Sequence, residues 1–106
     1  MVFLFFEEIK KCEDLKLRKL NIDQGNDLTY VPSALFAEAV LKLEEINLML
    51  TRIRTKQAEA LCVKILETKQ FRLRRIKVNQ THPLLALPHI IIQAVMERIE
   101  ISTFYY

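Results

Sequence analysis

Four times along the chain an aliphatic residue is followed three and five positions later by two more: Leu17, Leu20, Ile22; Leu43, Ile46, Leu48; Leu73, Ile76, Val78; and Met96, Ile99, Ile101. Such a recurrence marks a stack of strand–turn–helix units, because one unit cannot bury its apolar face until a neighbour lies against it. The expected product is a scaffold with a broad surface lined by side chains.

A chain of 106 residues has room for one domain and one core, burying roughly two thirds of the surface it exposes when unfolded. Apolar residues make up 51% and charged ones 27%, a globular balance that argues against disorder. Gly25 is the only glycine and there are three prolines, too little turn chemistry for an all-β sandwich. The net charge of +3 is spread among interleaved acids and bases and implies no particular partner. Cys12 and Cys62 lie far apart, with no CxxC pair or histidine at ligand spacing, and read as free, buried thiols in a reducing compartment. The apolar start, Met1 to Phe6, meets Glu7 and Glu8 at once, too short for a secretory signal and without its basic opening. The apolar run from Pro83 to Val95 is interrupted by Pro88, His89 and Gln93 and falls short of the ~20 residues of a membrane helix. An intracellular, cytoplasmic chain without a membrane segment is expected.

The middle residues of the four triplets, Leu20, Ile46, Ile76 and Ile99, are 26, 30 and 23 residues apart. A longer repeat is cleaner. Leu15 to Ile22 matches Phe71 to Val78 at an offset of 56, and Val31-Pro32 followed by Ala39-Val40 resembles Leu87-Pro88 followed by Ala94-Val95. The duplicated unit is thus a pair of repeats, the second copy reading as shortened by about a residue inside its helix and again after it. Helices are predicted between the strands. One spans Ser33 to Leu41, with Leu35, Phe36, Ala39 and Val40 inward and Pro32 at its start. Another is capped by Thr55 and buries Ala58, Leu61, Cys62 and Ile65, leaving Lys56, Gln57, Glu59 and Lys64 to solvent. A third covers His89 to Met96, and Phe5, Phe6 and Ile9 suggest a partial helix over 3–13. Strands alternating with helices by short links predict an α/β fold, about four parallel strands on a concave side and helices on a convex one. It forms a single domain over 1–106 with repeats near 15–42, 43–70, 71–95 and 96–106.

These residues resemble the ribonuclease-inhibitor-like class of leucine-rich repeats, whose pattern is LxxLxLxx(N/T)xL followed by a helix. Leu43, Ile46, Leu48, Thr51 and Ile53 fit it in full; Leu73, Ile76, Val78 and Thr81 fit until Pro83 moves the next leucine to Leu84. In the first repeat Gly25 reads as an insertion that moves the asparagine to Asn26 and the following leucine to Leu28. The resemblance covers about Leu15 to Ile101 and implies a curved solenoid that binds protein. It also implies that Thr51 and Thr81 stand where the family's turn residue makes buried hydrogen bonds to the backbone.

With the aliphatics pointing inward, the residues between them face the concave side. The predicted columns are Arg18, Glu44, Arg74, Glu97; then Lys19, Glu45, Arg75, Arg98; then Asn21, Asn47, Lys77, Glu100. Opposite charges on neighbouring strands either pair with one another and pin register or recognise a protein of patterned charge. Two basic groups, Arg52, Arg54, Lys56 and Lys69, Arg72, Arg74, Arg75, Lys77, raise nucleic acid as a lesser alternative, opposed by Glu44, Glu45 and Glu97 and by the lack of interleaved aromatics. His82 and His89 sit beside prolines with no carboxylate or thiol nearby in sequence and read as solvated loop residues. No catalytic, metal or cofactor site is expected. Both ends are apolar, Val2 to Phe6 and Phe104 to Tyr106, so either these segments fold over the ends as improvised caps or, the preferred reading, the chain is part of a longer array and self-associates through uncapped ends. The remaining alternative is a structural spacer within a larger repeat protein.

Overall fold

The computed structural model describes residues 2–22 and 27–104, with only the backbone of residues 2–4. Gly25 and Asn26 lie outside the described residues. The order is α1 (Val2–Lys11), β1 (Lys19–Asn21), α2 (Ser33–Val40), β2 (Glu45–Asn47), α3 (Thr55–Glu67), β3 (Arg75–Asn79), a 3-10 turn (Pro83–Ala86), α4 (His89–Met96) and β4 (Glu100–Phe104). All four strands form one parallel sheet in sequence order. The helices stack in the same order, α1 on α2, α2 on α3 and α3 on α4.

The aliphatic triplets supply the inner face. Leu20, Ile46, Ile76 and Ile101 stand side by side across the sheet, and Leu43, Leu48, Leu73 and Val78 are buried beside them. Each of these side chains contributes roughly 1.5–3 kcal/mol by leaving water. The helices meet that face with the residues their periodicity selects: Leu35, Phe36, Ala39 and Val40 of α2, and Ala58, Leu61, Cys62 and Ile65 of α3, are buried. Phe6 and Ile9 bring α1 onto the core, Phe6 meeting Phe36 edge to face at 5.8 Å. Pro32 and Pro88 are the N-caps of α2 and α4.

Three sequence expectations shift. The N-cap of α3 is Arg54 rather than Thr55. Gln57 is fully buried rather than solvated, accepting from the Arg54 N–H at 2.7 Å and donating to the Leu28 and Val31 carbonyls at 2.7 and 2.6 Å. An unpaired amide there would cost about 1–3 kcal/mol; satisfied, it ties the loop before α2 to the start of α3. The duplication is also more regular than the sequence suggested. α2 and α4 have equal length and matching caps, and one residue is missing in the second copy where Leu43-Glu44-Glu45-Ile46 becomes Ile99-Glu100-Ile101. The strand partner of Ile76 is consequently Ile101, not Ile99.

The turn after β2 holds Leu50 at φ 59, a left-handed conformation in which a Cβ crowds the backbone. Its N–H donates to the Asn79 side chain at 2.9 Å, fixing the turn despite the strain. Replacing the exposed Leu50 with asparagine, which tolerates this region, is expected to raise unfolding free energy by about 1 kcal/mol, measured by urea titration.

Candidate protein-binding face

Between the aliphatics, the strands turn polar side chains to the face opposite the helices. The central column, in register, is Lys19, Glu45, Arg75, Glu100, and the next is Asn21, Asn47, Lys77, Ser102. Arg18, Glu44 and Arg74 stand one residue ahead of these strands and border the same concavity as Lys19, Glu45, Arg75 and Glu100.

The charges form a ladder in two groups, one around Glu45 and Arg75 and one around Glu44. Arg75 reaches Glu45 at 3.5 Å on one side and Glu100 at 3.1 Å on the other, and Lys77 closes on the second oxygen of Glu45 at 3.4 Å. Arg18 donates to both oxygens of Glu44, the Nη2 contact at 3.2 Å, and Arg72 stands 3.9 Å from the same carboxylate. The Arg18 hydrogen bond holds the Glu44 carboxyl below its usual range, and Glu44 in turn raises Arg18. Glu100 is likewise lowered, chiefly by the Ser102 hydroxyl that donates to it at 2.8 Å and then by Arg75. Asn47 accepts from the Met49 N–H at 3.0 Å. Lys19 and Arg74 are exposed, with no ion pair among the described residues.

Two predicted members of this face are elsewhere. Glu97 is the exposed C-cap of α4. Arg98 turns towards the helices, donating to the Ile65 carbonyl in the last turn of α3 and to the Lys69 carbonyl at 3.1 Å, its guanidinium 4.9 Å from the centre of the Phe71 ring. A cation at a helix C-terminus meets the negative end of the helix dipole and the unpaired last carbonyls. Lys42, 56 residues earlier, does the same for α1, donating to the Lys10 carbonyl and, at 2.8 Å, to that of Cys12. Glu100 enters the central column instead, and Ser102 is the member that sequence reasoning missed.

His82 is 2% exposed, not solvated. The turn after β3 is one residue longer than that after β2, so His82 rather than Thr81 takes the inner place beside Thr51. Its Nδ1 accepts from the Leu84 N–H at 3.2 Å and its Nε2 lies 3.4 Å from the Thr51 hydroxyl, which donates to the Leu48 carbonyl at 2.7 Å. Thr51 thus makes the buried backbone hydrogen bond the pattern implied, whereas exposed Thr81 accepts from the Asn79 side chain at 2.9 Å. Burial pushes the His82 pKa down to about 4. His89, by contrast, is exposed at the start of α4.

Cys62 is buried and its thiol pushed up to about 11, and Cys12 is half-buried; both are free. Among the described residues no group of three or more His, Cys, Asp or Glu is placed to hold a metal ion, and no helix is long and apolar enough to cross a membrane. No family model, curated protein or solved structure matches the chain.

Two expectations follow. Glu45→Gln should cost at most about 2 kcal/mol, with a smaller effect in molar salt, because it loses two cross-strand pairs of up to about 1 kcal/mol each that salt screens in part; urea unfolding at two ionic strengths measures it. For His82, the unfolded chain binds a proton near pH 6.5 that the folded chain refuses until about pH 4. Stability should therefore fall between those values as pH drops, by about 3 kcal/mol in total. His82→Gln should remove that component of the pH dependence in chemical denaturation.

Proposed function

We propose that this chain is a leucine-rich-repeat solenoid of the ribonuclease-inhibitor-like kind, a non-catalytic module that binds another protein on the sheet face opposite its helices. The observation that carries this reading is a parallel sheet with helices on one face and a polar, charged surface on the other. Parallel sheets are otherwise almost always covered on both sides, so a partner is the natural cover for such a face. Its carboxylates, Glu44, Glu45 and Glu100, are engaged by Arg18, Arg75 and Lys77, while Lys19 and Arg74 are exposed and form no ion pair among the described residues. The face accordingly favours an acidic protein segment, with the ladder holding the cations in place.

A spacer is the second reading, favoured by the same ladder, since charges that neutralise one another need no partner. Nucleic acid fits less well. Arg52, Arg54 and Lys56 follow β2 at one end of the strands, whereas Lys69, Arg72 and Arg74 precede β3 at the other, which splits the basic residues into two separated groups. The free thiols Cys12 and Cys62 suit a reducing, intracellular setting.

Arg74→Gln separates the first two readings, because Arg74 makes no ion pair among the described residues and only a longer-range attraction to Glu44. Affinity capture with wild-type and variant chains is expected to recover a partner with the first and lose it with the second, at unchanged thermal unfolding. Recovery of no partner by either supports the spacer, and equal recovery by both puts the binding away from Arg74.

A further inference from the structure

We propose that a second copy of this chain docks head to tail on the first, β4 of one copy pairing in parallel with β1 of the next. The argument comes from the internal duplication. β1 and β3 are equivalent, as are β2 and β4, because Leu20 corresponds to Ile76 and Ile46 to Ile101. The β2–β3 junction inside the chain therefore shows how β4 would meet another β1.

Three features of the β4 end match that junction. In charge, Glu45 of β2 pairs with Arg75 of β3 at 3.5 Å; their equivalents are Glu100, whose side chain is 57% exposed, and Lys19 of the next copy. The column Lys19, Glu45, Arg75, Glu100 would continue its alternation of sign across the contact. In apolar surface, Met96 and Phe104 are 53% and 42% exposed, whereas their equivalents Val40 and Met49, at the end of α2 and just after β2, are buried. In hydrogen bonding, the Glu100 N–H donates to Arg74 and the Phe104 carbonyl accepts from Gln80. Strand alternation then turns the backbone groups of Ile101 and Thr103 towards the open edge, where β1 of the next copy would take them.

Such a contact joins two different surfaces, so it propagates rather than closes. Sedimentation velocity on the full chain should show a weight-average mass that climbs with concentration and reaches no plateau. Thr103→Pro removes an edge-facing N–H without touching the β3 ladder, and Lys19→Glu reverses the charge at the other end. Each variant should remain monomeric with an unchanged circular dichroism spectrum. Mixed in equal amounts, they should form a heterodimer and nothing larger, because Thr103→Pro keeps an intact β1 end and Lys19→Glu an intact β4 end. Should Thr103→Pro fail to fold, Glu100→Lys takes its place, and the Lys19→Glu/Glu100→Lys double variant should regain assembly. A wild-type chain that stays monomeric at every concentration overturns the proposal. So does a closed dimer that Thr103→Pro leaves intact, or a mixture of folded variants that stays monomeric.

Discussion

Everything in this fold depends on one constraint: an α/β unit with apolar residues on one strand face and one helix stripe has nowhere to hide them except against the next unit. Ile46 is buried because Leu20 and Ile76 flank it in register, and Phe36 because Phe6 packs across from the preceding helix. The sequential strand order follows, since each short crossover returns the chain beside the strand it has just left. The face opposite the helices is polar for the same reason, because a strand that gives its alternate residues to the core turns the others away from it.

The polar face is built from interactions that are individually weak. Exposed pairs such as Arg75 with Glu100 yield little stability in water, yet linked through Glu45 to Lys77 they restrict one another's rotamers. On the proposed binding reading, they hold cations in a fixed array beside Lys19 and Arg74. Arrangement of this kind governs which partners approach and in what orientation more than how tightly they hold.

Most of this was legible in the sequence where spacing carries the information. The aliphatic triplets located β1, β2 and β3, and helical periodicity located α2, α3 and α4. The fourth strand was displaced by two residues because a slip of two preserves which side chains point inward, and the pattern cannot detect it. That slip drew Glu97 and Arg98 into the predicted face and left Ser102 out. Gln57 was misplaced because its polarity outweighed its position, although Leu61 and Ile65 follow it at the four-residue spacing of one helix face. His82 was hidden by a single extra residue in the turn after β3, a change that no local residue type announces.

Lys42 and Arg98 occupy equivalent places in the two copies of the duplicated pair, Lys42 fastening the end of α1 and Arg98 the end of α3. The smallest self-sufficient block is thus two units, one supplying the helix end and the other the cation that closes it. Gain or loss of a single unit would separate a fastener from its helix end, whereas gain or loss of a pair keeps the two together. In such a chain the duplicated pair, not the single unit, is the piece that carries its own fastening.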